Sequence, residues 1–183
     1  MPGSFVRPDH AAASTPARAP NFHVVLHEPE IPNDTGNIGR TCVATRCALH
    51  LIHPLGFDTS EKACRRAGLD YWPRLGVRDH ANFEVYQAAA VASIERTWFF
   101  TTHAKKTLFD ARFEQGDALV FGKETRGLPK DLIAQHPERC LVLPMARDER
   151  SLNLATAVCA AVYEGLRQLI ARGEIALDDA GRL

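Results

Sequence analysis

The chain has no excess of charge of either sign: its 22 lysines and arginines are matched by 22 aspartates and glutamates over 183 residues. A zero net charge gives no global field to draw in a polyanion, so a nucleic-acid partner would have to be met by a local patch. Cysteine is scarce and badly spaced for structural use. Cys42, Cys47, Cys64, Cys140 and Cys159 are an odd set without a C-x-x-C pair, which argues against a disulfide framework and a zinc site and for a reducing cytoplasm. No long apolar run marks a membrane span, and no membrane association is expected. Residues 1–20 are rich in Ala and Pro but lack the apolar stretch of a secretory signal, and they are read as a flexible tail. A cleaved organellar presequence carrying Arg7 and Arg18 is the alternative. Two common nucleotide fingerprints are missing as well: there is neither a G-x-G-x-x-G turn opening a helix nor a P-loop. Four histidines, His23, His27, His50 and His53, lie near strand candidates without acidic or thiol partners at ligand spacing. They are read as structural or surface residues, and no metal is expected.

What is present is an ordinary globular composition, 45% hydrophobic and 24% charged. The length supports one domain, placed at residues 21–172, with a polar, loosely held tail at 173–183. From Phe22 onward short β-type runs alternate with helix-type segments, the signature of an α/β domain with a mostly parallel sheet flanked by helices. Strands are expected at 22–27, 48–52, 97–101, 118–121 and 140–143, with a weaker sixth at 74–77. Helices are expected at 37–46, 60–67, 82–92, 129–135 and 153–171. The last carries Leu154, Val158, Ala161, Val162, Leu166, Leu169 and Ile170 at helical spacing, with Gly173 as a stop.

Ligands of parallel α/β sheets sit beyond the carboxyl ends of strands. Three loops there stand out, spanning 28–40, 122–129 and 144–153. Glycines in such loops let backbone approach a ligand that a side chain would hold away. It is on these loops that the chain resembles the SPOUT superfamily, and within it the tRNA wobble-ribose 2'-O-methyltransferases. The resemblance rests on Asn37-Ile38-Gly39-Arg40-Thr41-Cys42, Phe121-Gly122-Lys123-Glu124-Thr125-Arg126-Gly127-Leu128-Pro129, Arg150-Ser151-Leu152-Asn153-Leu154 and Arg65-Arg66-Ala67-Gly68-Leu69-Asp70-Tyr71.

The resemblance implies a C-terminal trefoil knot that closes the three loops around S-adenosylmethionine, which leaves as S-adenosylhomocysteine. By position, main-chain groups of Phe100, Gly122, Leu143 and Ser151 would hold the cofactor. It further implies a homodimer with the knot and final helix at the interface, and a tRNA anticodon stem-loop lying across both subunits. The reaction implied is methyl transfer to the ribose 2'-hydroxyl of nucleotide 34, a cytidine or modified uridine. An rRNA ribose methyltransferase of the same fold and a non-catalytic RNA-binding relative are the alternatives.

Individual residues carry competing explanations. Arg40 lies near the amino end of a helix, where a cation is mildly unfavourable against the dipole. Its ordinary role would be a surface ion pair with Glu28 or Asp34. By resemblance it acts at the reacting ribose, and because guanidinium is a poor base it could instead orient the hydroxyl and stabilise developing negative charge. Ser151 and Asn153 precede the last helix and could cap it, with Asn153 also assigned to catalysis. Ala155 stands where the family usually has serine, and Asp34 where it often has asparagine. Glu124 and Arg126 could form a local ion pair, or Arg126 could contact RNA. Lys62, Arg65 and Arg66 share one helix face, either solvated or set against phosphates, with Tyr71 and Trp72 beyond as candidates to stack on bases.

Overall fold

The computed structural model describes residues 19–58 and 70–183. Strand β1 (Phe22–His27) is covered on both faces, with Phe22, Val24 and Leu26 on one and His23, Val25 and His27 on the other, and it lies in the interior of a seven-stranded sheet. With β2 (Ala48–Ile52), β3 (Arg78–His80), β4 (Thr97–Phe100), β5 (Lys106–Thr107), β6 (Asp117–Phe121) and β7 (Cys140–Val142) the sheet order is β3-β2-β1-β6-β4-β7-β5. All its pairings are parallel, with His23 against Ala48 on one side of β1 and against Ala118 on the other. Five of the strands lie where the sequence places them.

The two faces of the sheet have different covers. Phe22, Val24, Leu26, Leu49, Leu51, Leu119, Phe121 and Leu141 face one layer, which is made by helix α1 (Pro32–Ala44) and the C-terminal helix α5 (Leu154–Ala171). Val25, Ile52, Phe99, Ala118 and Val120 face the other, closed by Tyr86 of α3 (Phe83–Ala88) and Leu132 of α4 (Lys130–Gln135). By length and composition alone α5 could cross a membrane, but Val158, Ala161, Val162, Leu166 and Leu169 are buried against the sheet, which makes it a core helix.

Four expectations change. Residues 74–77 form no strand: Trp72–Leu75 is a short helix, α2, with Pro73 in its first turn, where a missing N–H costs nothing. Gly76 ends it at φ 60, and the strand follows at Arg78. Helix α1 starts at Pro32, five residues ahead of the expected start at Asn37. Helix α3 ends at Ala88, short of residue 92. The segment beyond α5 is tied down more than its polarity suggests: Ile175 is only 4% exposed, Arg172 pairs with Glu174, and Arg46 donates to the Leu183 carbonyl. The helix expected at 60–67 lies outside the described residues.

His23, His50 and His80, one on each of β1, β2 and β3, form a hydrogen-bonded file. His23 Nδ1 lies 3.0 Å from His50 Nε2, and His50 Nδ1 lies 3.0 Å from His80 Nε2. The Tyr86 ring stands nearly perpendicular to both His50 and His80, with centroids 5.7 and 5.2 Å away.

Candidate active site

The loop after β1 and the loop after β6 are fastened together by three carboxylates, Glu28, Glu30 and Glu124. Glu28, held at φ 53, accepts an ion pair from Lys123 Nζ at 2.6 Å. Glu30 accepts from the Thr125 amide and hydroxyl, both at 3.1 Å. In return the Glu124 carboxylate accepts from the amides of Glu30 and Ile31 at 2.9 and 3.1 Å. Helix α1 has no side-chain cap of its own, and a carboxylate near its free N–H groups suits the helix dipole. Glu124 therefore does not pair with Arg126, as a purely local reading allowed. It reaches 93 residues back along the chain.

Gly122 is required by the loop's own closure. A Cβ there would lie 2.0 Å from the Gly127 carbonyl carbon and 2.1 Å from the Leu128 nitrogen, both rigid backbone atoms. The loop doubles back on the end of β6, leaving its main chain open to a cavity of about 620 Å³.

Phe100, Gly122, Leu143 and Ser151 all line that cavity. Its apolar wall includes Phe100 and Phe121, stacked with ring centroids 4.5 Å apart. Its polar side holds Asp34 from α1 and Asn153 from the start of α5. Asn153 Nδ2 donates to both Asp34 carboxylate oxygens at 2.9 Å, while its Oδ1 accepts from the Thr156 amide at 3.2 Å and caps α5. A carboxylate only accepts, so Asp34 dictates which way the Asn153 amide faces. The cap and the pocket thus use opposite ends of one side chain.

Arg40 is exposed and does not line this cavity. The pairings considered for it are not made: Glu28 is engaged by Lys123 and Asp34 by Asn153. Its guanidinium lies over the Tyr71 ring, 4.7 Å from the centroid. Tyr71 is only 3% exposed, with its hydroxyl donating to the Gly36 carbonyl, so its ring is covered by protein and is not presented for stacking on a base. Arg126 is exposed on the cavity rim beside Lys130 and Arg150. Lys62, Arg65 and Arg66 lie outside the described residues.

Two buried cysteines, Cys42 and Cys47, are poor nucleophiles as placed. Burial pushes the Cys47 thiol up to about 11 and raises that of Cys42 well above its ordinary value. Among the described residues no group of three or more His, Cys, Asp or Glu is arranged to hold a metal ion. The contacts of Glu124, Glu30 and Asp34 left no trace in the sequence beyond their being acidic residues in loops, since each joins distant segments.

Comparison with known proteins agrees with this architecture. Residues 21–163 match the model of the SpoU rRNA Methylase family. A Saccharophagus degradans protein named tRNA (cytidine(34)-2'-O)-methyltransferase is 45% identical over 149 residues, spanning 81% of this chain and 96% of the relative. A solved structure described as giving structural insights into the 2-OH methylation of C/U34 on tRNA superposes with a TM-score of 0.74 at 45% identity, covering 82% of this chain and 97% of that one. The SpoU methyltransferase AviRb of Streptomyces viridochromogenes, solved in complex with the cofactor AdoMet, shares the fold at a TM-score of 0.67 and 24% identity, over 85% of this chain and 63% of its own. With a family model covering most of its length and relatives alike from end to end, the chain belongs to the SpoU rRNA Methylase family.

Proposed function

We propose that this protein transfers the methyl group of S-adenosylmethionine to the ribose 2'-hydroxyl of the wobble nucleotide, position 34, of tRNA. The observation that carries the reading is the cavity at the strand ends, where Phe100, Gly122, Leu143 and Ser151 meet the Asp34–Asn153 pair. The relatives named for this reaction support the choice of substrate.

The cavity suits the cofactor. Its volume falls in the range of small-molecule sites, its apolar wall fits a flat base, and the Asp34 carboxylate suits a sulfonium cation. The cofactor supplies an already activated methyl, so the protein's share is positioning and electrostatics. Main-chain groups of Phe100, Gly122, Leu143 and Ser151 hold it. Asn153, oriented by Asp34, stands at the polar end. Arg40 meets the ribose and its phosphate with guanidinium N–H groups that no carboxylate among the described residues engages, orienting the hydroxyl and stabilising negative charge as its proton leaves. Arg126, Lys130 and Arg150, which make no ion pair among the described residues, offer the RNA backbone a cationic rim on a chain of zero net charge. Lys62, Arg65 and Arg66 extend this surface in the proposal.

The rest of the reading comes from the family resemblance. In this reading a C-terminal trefoil knot closes the three loops and a homodimer forms across the knot and α5, whose Tyr163 is 56% exposed. The anticodon stem-loop spans both subunits, and the enzyme works in the cytoplasm. The test is to incubate the protein with radiolabelled S-adenosylmethionine and full-length tRNA, then locate the label by nuclease digestion. The expected product is a single 2'-O-methyl at nucleotide 34. Label on a base or at another position of the tRNA, or no label at all, overturns the reading.

A further inference from the structure

Arg40 has a neighbour, Tyr71, two of whose contacts converge on the same helical turn. Tyr71 places its ring face under the guanidinium, 4.7 Å from centroid to Cζ and within the reach of a cation–π contact. Its hydroxyl donates to the carbonyl of Gly36, four residues before Arg40, the position whose carbonyl bonds the Arg40 amide in an α-helix. One side chain thus grips both the head group of Arg40 and the backbone turn from which it springs.

The fit depends on a second residue. A Cβ on Gly39 would come within 2.9 Å of Leu75 Cδ2, 3.1 Å of Trp72 Cζ3 and 3.3 Å of Tyr71 Cε2. Glycine at this position lets Tyr71 and α2 lie directly on α1.

A ring face also does what a carboxylate could not. Guanidinium presents its N–H donors in its own plane, and an acidic partner would occupy them. Contact through the face of the group restrains Arg40 and leaves those in-plane donors for a substrate. The three acidic residues that precede it in the first loop and helix are already committed, Asp34 to Asn153, Glu30 to Thr125 and Glu28 to Lys123.

We infer that Tyr71 is a positioning residue for Arg40, setting its guanidinium for the ribose through its ring face and its bond to Gly36. This rests on the assignment of Arg40 to the reacting ribose. The experiment is single-turnover methyl transfer at saturating tRNA and S-adenosylmethionine, with dissociation constants measured separately. Tyr71→Leu is expected to slow the step about tenfold, the scale of a partly desolvated cation–π contact, with cofactor affinity unchanged. Tyr71→Phe keeps the ring and is expected to recover most of that loss. In an Arg40→Ala background Tyr71→Leu is expected to cost nothing further, because the two act as a unit.

A series of progressively fluorinated phenylalanines at position 71 gives the same test without a change of shape. Fluorine drains the negative ring face, so the rate should fall stepwise. A flat fluorination series, or a Tyr71→Leu loss that simply adds to that of Arg40→Ala, makes Tyr71 a packing residue and overturns the inference. A wild-type rate in Arg40→Ala alone removes the assignment of Arg40 first, and this inference with it.

Discussion

Lowering the pH from 6.5 to 5 is expected to strip stability from the fold through the histidine file on β1, β2 and β3. Burial holds His50, which is 0% exposed, down to about 3, and the charges of His23, His80 and Arg78 act in the same direction. Burial, followed by the Arg78 charge, lowers His23 to about 4. His80 is lowered by burial despite the opposing charge of Asp79. These imidazoles are neutral in the folded state, while in the unfolded chain they take up protons near the ordinary value of about 6.5. The unfolded state therefore binds more protons between pH 6.5 and 4. Their contribution is complete above about 6.5 and falls away with acidification through that window.

For a group lowered this far, linkage gives a loss of about 1.5 kcal/mol between pH 6.5 and 5, or about 3 kcal/mol for His23 and His50 together. That is a large part of the 5–15 kcal/mol typical of a domain, by a rough measure. Most carboxylates titrate below pH 5, so the window reports mainly on histidines, the file together with buried His27, which is lowered by burial as well. Urea unfolding followed by circular dichroism at half-unit pH steps measures it, with His50→Leu as the control that should flatten the slope. Equal stability at pH 6.5 and 5, or an unchanged slope in His50→Leu, refutes the reasoning.

Two further outcomes follow from the loops. Glu124→Ala frees the amides of Glu30 and Ile31 and unfastens the first loop from the second; S-adenosylmethionine affinity should fall about tenfold by calorimetry while the far-ultraviolet spectrum stays unchanged. Arg126→Ala should weaken tRNA binding, reduce the slope of log affinity against log salt by about one, and leave the single-turnover rate at saturation intact.

The sheet was legible because interior parallel strands are short, largely apolar β-type runs, and 22–27, 48–52 and 118–121 have few other uses. Helix α1 was legible only in its second half. Asn33, Asp34, Thr35 and Gly36 look like a loop, and what permits them in a helix is Pro32 in its first turn and a carboxylate supplied from Glu124. Strand β3 was missed because an edge strand of three residues, two of them the exposed Arg78 and Asp79, carries no apolar pattern. Of the site, the cavity-lining positions followed from the family motifs, whereas the partners of Asp34, Glu124 and Tyr71 did not. Each of those contacts is made by folding, and local spacing holds no record of it. The histidine file was invisible for the same reason: His23, His50 and His80 become neighbours only through the register of three strands.

The most direct test of the central claim is to map ribose methylation across the tRNA pool of a strain lacking this gene, then again after restoring the wild-type or the Arg40→Ala protein. The account predicts that 2'-O-methylation disappears at nucleotide 34 alone, returns with the wild-type protein, and stays depressed by about a hundredfold in rate with Arg40→Ala, the scale of a lost proton-handling group. An unchanged nucleotide 34 in the deletion strain, or full restoration by Arg40→Ala, would contradict it.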